Sequence, residues 1–290
     1  MKSNMKGRSF ISIHDFTADE INYILEIGKQ LKTMQKRGVS HRYLAGKTLG
    51  MIFQKSSTRT RVAFEVGMYQ LGGHALFLNP RDIQLGRGET IKDTARVLGR
   101  MLDGIMIRTF DHEEVVELAE WSGIPVINGL TDLLHPTQVI GDLMTIQENK
   151  GRIKGLKLAY IGDGNNMAHS LLFGGAKTGM DVVIAAPEGL GPDAGILELA
   201  RQDAESTGAI LTVVQDPAEA VQGADILYTD VWASMGQEEN AAEKEALFKD
   251  YQINQQLLQQ AKPDAIVLHC LPAKRGKEIT DEVMDGPQSR

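Results

Sequence analysis

Short apolar runs alternate along this chain with longer stretches whose apolar residues recur every three or four positions. That alternation predicts strands and helices in turn. Thr17-Ala18-Asp19-Glu20, followed by Ile21, Ile24, Leu25, Ile27 and Leu31, reads as a capped amphipathic helix. Thr48 to Phe53 is an apolar string of strand length. Val62, Phe64, Val66 and Tyr69 then mix with polar residues up to a helix stop at Leu71-Gly72-Gly73. His74 to Leu78 is a second strand, closed by Asn79-Pro80. Thr90 to Leu102 predicts a helix, Gly104 to Ile107 a strand, Asp111 to Trp121 a helix and Pro125 to Asn128 a strand. A long helix opens around His135-Pro136 and runs to about Lys150. Asn149 to Gly155 is a charged break carrying glycine, which places a domain boundary there and gives domains 1–150 and 151–290. Beyond it, strands at Leu158–Ile161, Val182–Ala185, Ile210–Val214, Ile226–Thr229 and Ile266–His269 alternate with helices at Asn166–Thr178 and Ala194–Thr207. The fold class is therefore α/β, with two doubly wound parallel-sheet domains.

Composition narrows the function without naming it. A chain of 290 residues can bury two modest cores, and 42% hydrophobic with 24% charged residues is ordinary for a globular protein. The net charge of −7 gives no support to a nucleic-acid partner. The single cysteine, Cys270, excludes an internal disulfide and fits a reducing compartment. No apolar run reaches membrane-spanning length, and Phe10-Ile11-Ser12-Ile13 is too short for a signal-peptide core. A cytoplasmic protein without a membrane partner is expected.

The candidate chemistry lies where strands end. Ser56-Ser57-Thr58-Arg59-Thr60-Arg61 occupies a predicted strand-to-helix turn. Unpaired N–H groups and the dipole at a helix start favour an anion, and Ser57, Thr58 and Thr60 add donors. Arg59 adds a planar fork suited to phosphate oxygens. Capping by Ser56 or Ser57 accounts for one hydroxyl, but three hydroxyls interleaved with two arginines exceed that need. The Gly-x-x-x-x-Gly-Lys-Ser/Thr spacing of nucleotide P-loops is absent. Arg59 and Arg61 cannot share a helix face, so Arg59 is assigned to the ligand and Arg61 to structure.

Arg81 to Thr90, with Gln84 in it, is polar, glycine-punctuated and long, as binding loops and mobile surface loops both are. Arg108 stands at the carboxyl end of its strand, where ligands of open α/β sheets bind. His135, before Pro136-Thr137, and Gln138 one turn later can both donate to a carbonyl or amide, although a histidine there also serves as a cap. His112-Glu113-Glu114 lacks the second histidine of a zinc-protease motif. Gly162-Asp163-Gly164-Asn165-Asn166-Met167 lacks the third glycine and the acidic residue of a dinucleotide site, so no nicotinamide cofactor is expected. The amides of Asn165 and Asn166 suit a small polar ligand instead. Asp230, after a strand, can hold an ammonium group, and Ser234 with Met235 can add hydrogen bonds. Adjacent His269 and Cys270 are expected on opposite faces of a strand, which makes them poor partners for one metal. No metal or other cofactor is expected.

Taken in order, Ser57-Thr58-Arg59-Thr60, Arg108, His135-Pro136-Thr137-Gln138, Asp230 with Ser234-Met235-Gly236, and His269-Cys270-Leu271-Pro272 form a pattern that resembles the aspartate/ornithine carbamoyltransferase family. The last two elements, with Gly162-Asp163-Gly164-Asn165-Asn166, are similar to its ornithine branch. The resemblance implies two α/β domains with the active site in the cleft between them, assembled as a homotrimer. It implies substrates carbamoyl phosphate and L-ornithine and products citrulline and phosphate. Ser57, Thr58, Arg59 and Thr60 would bind the phosphate, and Arg108, His135 and Gln138 the carbamoyl group, with Pro136 and Thr137 beside them. Gln84 would reach a neighbouring subunit's site. Asn166, Asp230, Ser234 and Met235 would bind ornithine, and Cys270 and Leu271 would line the reacting centre. Cys270 with Asp230 would accept the amine's proton, while Arg108, His135 and Thr60 stabilise charge on the carbonyl oxygen.

The resemblance also leads one to expect a segment and helix beyond Gly286-Pro287-Gln288-Ser289-Arg290, carrying an arginine for carbamoyl phosphate. Two other readings fit the residues. One is a carbamoyltransferase for another amine such as putrescine, which would not need Asp230, Ser234 and Met235. The other is a non-catalytic binding protein of the same fold.

Overall fold

The computed structural model describes residues 5–85, 88–233 and 241–290. It divides into two compact units, residues 1–137 and 138–290. In the first, β1 (Thr48–Phe53), β2 (His74–Leu78), β3 (Gly104–Arg108) and β4 (Val126–Leu130) form a parallel sheet in the order β2-β1-β3-β4. Met51, Ile52, Ile105, Met106 and Ile107 are wholly buried. Successive strand residues face opposite sides, so one face sends Ile52, Ile105 and Ile107 against Val115 and Leu118 of α4 (His112–Ser122). The other sends Leu49, Met51, Phe53 and Met106 against Met68 of α2 (Thr58–Gln70). Burial on both faces is why the inner strands β1 and β3 are apolar along nearly their whole length rather than alternating.

The predicted opening helix is α1 (Ala18–Lys36), begun by a complete capping box between Thr17 and Glu20. The helix after Thr90 is shorter than its apolar spacing predicts: α3 is Ile91–Leu98, closed by Gly99. A Cβ on Gly99 would lie 1.8 Å from the Ser122 carbonyl oxygen, so α3 ends where its backbone meets the end of α4.

α5 (Pro136–Lys150) begins at the division between the units. The second unit has β5 (Lys157–Ile161), β6 (Asp181–Ala185), β7 (Leu211–Val214), β8 (Ile226–Thr229) and β9 (Ile266–His269), all parallel, in the order β7-β6-β5-β8-β9. Its α6 (Asn166–Thr178) is buried along its whole length, as a helix packed on all sides must be. Both sheets show the expected doubly wound plan, with strand order reversing between β1 and β3 and between β5 and β8. Ligands of such sheets bind outside the strands' carboxyl ends at these reversals. Among the described residues no helix is long and apolar enough to cross a membrane.

The glycines after β5 have a structural reason. Gly162 has φ +146°, a conformation side chains rarely adopt. A Cβ on Gly164 would sit 2.0 Å from the backbone of Gly191. Gly164→Ala is therefore expected to cost about 1–3 kcal/mol, since backbone rather than a movable side chain blocks it. Gly141, in the interior of α5, has nothing within 4 Å of its would-be Cβ. Gly141→Ala should stabilise by about 0.5–1 kcal/mol. Urea denaturation of both variants checks the pair, and equal effects would contradict the packing described.

Candidate active site

The two reversal points carry two different groups of side chains. In the first unit, Ser57 is the N-cap of α2, as the plainer reading of that residue has it: its Oγ accepts the Thr60 N–H at 3.2 Å. The same Oγ donates to Thr60 Oγ1 at 3.0 Å, which leaves Thr60's own hydroxyl proton for another partner. No acidic residue occupies the first turn of α2, so its positive end is left for a ligand. Thr58 and Arg59 are exposed there. Arg61 pairs with Glu65 at 2.9 Å and lies over the Phe77 ring, in keeping with a structural part.

The turn is tied down from behind. The N–H groups of Gln54 and Lys55 both donate to the Arg108 carbonyl, at 2.9 and 3.3 Å. Gln54 Nε2 also donates to Glu114 at 2.8 Å. Buried Lys55 forms an ion pair with Asp132, just before α5, and its Nζ lies 4.3 Å from the centre of the Phe110 ring. These ties hold the Ser57–Thr60 turn against β3 and the α5 entry.

Arg108 and His135 are both buried. Burial, and after it the positive charges of Arg108 and Arg59, push His135 from its ordinary 6.5 down to about 3. The structure thus brings Arg59, Arg108 and His135 into electrostatic reach of one another, with His135 a neutral imidazole at physiological pH. Pro136 is the first residue of α5, Thr137 follows, and Gln138 is bonded to Asp142 at 2.9 Å. Gln84 stands exposed beside buried Leu85 and makes no hydrogen bond to the Arg59, Arg108 and His135 group among the described residues.

In the second unit, buried Asp230 follows β8 and collects three donors. Its Oδ1 accepts the Val231 N–H at 2.8 Å and the Cys270 thiol at 2.9 Å. Its Oδ2 accepts from Asn165 Nδ2 at 3.0 Å. Asn165 is the N-cap of α6, its Oδ1 accepting from Met167 N, Ala168 N and the Tyr160 hydroxyl. Its amide is thereby engaged in structure, and Asn166 is buried beside it at the helix start. Ser234, Met235 and Gly236 lie outside the described residues.

The expectation that His269 and Cys270 face apart needs correction. β9 ends at His269, so strand alternation does not extend to Cys270. Donor atoms of Asp230, His269 and Cys270 all lie within 4.8 Å of one another. Each is engaged with protein groups. His269 Nε2 meets Glu278 Oε1 at 3.1 Å, and its Nδ1 accepts the Leu271 N–H at 2.9 Å. The sulfur's proton is directed at Asp230. Leu271 is held at φ +59°, uncommon for a residue with a branched side chain.

One group is therefore cationic with a neutral histidine, the other carboxylate with a thiol. Sequence comparison gives this pairing a family. Residues 8–148 match the aspartate/ornithine carbamoyltransferase, carbamoyl-P binding domain, and residues 154–290 match the Asp/Orn binding domain of the same family. The chain belongs to the aspartate/ornithine carbamoyltransferase family. It is 58% identical over 288 residues to the ornithine carbamoyltransferase of Oceanobacillus iheyensis, covering 99% of this chain and 89% of that protein. Its fold matches the ornithine carbamoyltransferase structure from Pyrococcus furiosus with TM-score 0.96 and 55% identity, over 99% of this chain and 92% of that one. The anabolic ornithine carbamoyltransferase of Campylobacter jejuni matches with TM-score 0.90 and 41% identity, over 96% and 90%.

The neutral state of His135 in this family member is testable. Its pKa is lowered by folding, so acid protonates the unfolded chain first. The stability due to the neutral ring is complete above pH 6.5 and is lost as pH falls towards 3. Nitrogen-15 NMR should find the imidazole neutral down to pH 5. His135→Asn should lose less stability than the parent between pH 6.5 and 4. A His135 midpoint near the ordinary histidine value would contradict the burial and charge arrangement.

Proposed function

We propose that this protein is an ornithine carbamoyltransferase, moving the carbamoyl group of carbamoyl phosphate to the side-chain amine of L-ornithine to give L-citrulline and phosphate in arginine metabolism. The observation that carries this reading is the sorting of charge: Arg59, Arg108 and neutral His135 in one unit suit a phosphate and a carbonyl. Asp230, bonded to Cys270 in the other, suits an amine that must lose a proton. In this reading residues 1–150 form the carbamoyl-phosphate domain and 151–290 the ornithine domain.

Arg59, Ser57, Thr58 and the start of α2 hold the phosphate. Arg108, His135 and Thr60 donate to the carbonyl oxygen as it gains charge, and one such donor is worth roughly 3 kcal/mol of barrier. His135, with its acid form suppressed, serves as a neutral donor and not as a general acid. Gln138 contacts the carbamoyl group, and Gln84 serves a neighbouring subunit. Asn166, Asp230, Ser234 and Met235 hold ornithine's α-amino and carboxylate groups, and the Leu271 backbone lines the reacting centre.

Ornithine's ammonium has no lone pair, so a proton must leave before attack. The Cys270 proton already lies against Asp230, which lets the carboxylate take it while sulfur receives the ammonium's proton. The neutral nitrogen then attacks the carbonyl carbon and the carbon–oxygen bond to phosphate breaks. Phosphate departs with that electron pair and one of the two protons left on the nitrogen, the other staying as the N–H of citrulline's urea group.

A homotrimer fits the first unit's surface. Val62, Val66 and Tyr69 share one face of α2 at helical spacing and are 52%, 45% and 81% exposed, beside the edge strand β2. A single free cysteine within the candidate site favours the cytoplasm, whose reducing poise keeps a thiol available.

A citrulline assay tests the reading. Product from ornithine and none from putrescine is expected. Product from putrescine alone would give the enzyme another amine, and binding without turnover would make it a binding protein. Arg59→Ala should raise KM for carbamoyl phosphate roughly ten- to a hundredfold. Cys270→Ala should lower kcat about a hundredfold or more while KM for ornithine moves less. Unchanged kinetics would remove that residue from the mechanism.

A further inference from the structure

α5 turns Val139, Leu143 and Ile146 to the core, all wholly buried, and Asp142 interrupts that stripe. A buried carboxylate is costly unless its oxygens are bonded, so its partners are informative. Gln138 Nε2 donates to Oδ1 at 2.9 Å, and the Tyr228 hydroxyl donates to Oδ2 at 2.9 Å. Tyr228 lies opposite Tyr160 in the β5–β8 register, with ring centres 6.1 Å apart. Tyr160 bonds Asn165, Asn165 bonds Asp230, and Asp230 takes the Cys270 thiol. One line of contacts joins the first turn of α5 to the residues beyond β8 and β9.

We propose that Asp142 is a positioning residue for carbamoyl transfer: by accepting the Gln138 amide N–H it leaves the Gln138 carbonyl oxygen as the end offered to the carbamoyl NH2. This rests on the reading that Gln138 contacts that group. The carbonyl oxygen of the substrate already has donors in Arg108, His135 and Thr60, whereas its NH2 needs an acceptor. Ionised Asp142 supplies two acceptors to two donors, which fixes the amide. A protonated Asp142 has a proton of its own to place, and Gln138 can accept it only by turning its oxygen inward. The NH2 of Gln138 would then face the NH2 of the substrate.

The surroundings place that switch in the working range. Burial raises Asp142 from 3.8 to about 7, against the hydrogen bonds from Gln138 and Tyr228 that lower it, while the charge of Asp230 beyond β8 raises it further. Burial first, and after it the charge of Asp142, raise Tyr228 from β8 well above its ordinary value, so it stays a donor. Rising pH therefore ionises Asp142 and sets the productive amide.

The test compares parent, Asp142→Asn and Tyr228→Phe by steady-state kinetics from pH 5.5 to 8.5, with phosphate inhibition as a probe lacking the NH2. Asp142→Asn should raise KM for carbamoyl phosphate about tenfold and leave KM for ornithine and the phosphate inhibition constant near those of the parent. It should also lose the acid limb near pH 7 in kcat/KM for carbamoyl phosphate. Tyr228→Phe removes a bond that lowers the Asp142 pKa, so that limb should move to higher pH, and this decides the matter if Asp142→Asn does not fold. Retention of the limb in Asp142→Asn, an unmoved limb in Tyr228→Phe, or equal changes in both KM values would overturn the role of Asp142. A parent that forms no citrulline would overturn the proposed function, and this proposal with it.

Discussion

Both sheets are parallel and their inner strands are covered on both faces, and that constraint decides where chemistry can sit. A parallel strand buried on each side must be apolar along its length, as Thr48–Phe53 and Ile226–Thr229 nearly are. Polar groups are pushed to the strand ends, and only where strand order reverses do neighbouring connections part to leave room for a ligand. Arg108 closes β3, the Ser57–Thr60 turn follows β1, Asn165 follows β5, Asp230 follows β8 and Cys270 follows β9. The hydrophobic effect stabilises the sheets, and the placement of the site is a consequence of how they are covered.

Electrostatics then divides the labour. The first unit gathers cations, and burial with the charges of Arg108 and Arg59 keeps His135 neutral among them. The price of that gathering is met by ties behind the site: buried Lys55 against Asp132, and the Arg108 carbonyl shared between two N–H groups. The second unit does the reverse and concentrates acceptors. Asp230 keeps its carboxylate buried because a backbone N–H, an amide and a thiol all donate to it. The two units thus carry opposite character, cationic donors in one and acceptors in the other.

Much of this was legible in residue order. Hydroxyls interleaved with arginines after an apolar run, an arginine ending a strand and a histidine before a helix-opening proline can be read because each is a local departure from what secondary structure needs. The interactions that hold those residues were not legible, since their partners lie far along the chain. Lys55 finds Asp132 and Asn165 finds Asp230 only after the sheets assemble. Helix α3 stops at Leu98 because of Ser122, which no window around residue 98 contains. Asp142 did leave a signal: an acid between Val139 and Leu143 on the core stripe of α5 conflicts with the helix's own pattern. Such conflicts point to a hydrogen-bonding duty.

His269 and Cys270 show how a sound rule fails at an element's end. Alternation of faces holds inside a strand, and β9 stops at His269. Beyond it the backbone turns, Leu271 takes positive φ, and the Cys270 sulfur comes back to Asp230. What holds this turn is a relay of wholly buried groups. Glu278 fixes the His269 ring, and the ring's other nitrogen accepts the Leu271 N–H, which keeps that residue in a conformation costing roughly 1–3 kcal/mol. Both nitrogens of His269 are thus engaged by protein groups. That ring thereby sets the course of the peptide that brings the Cys270 thiol to Asp230.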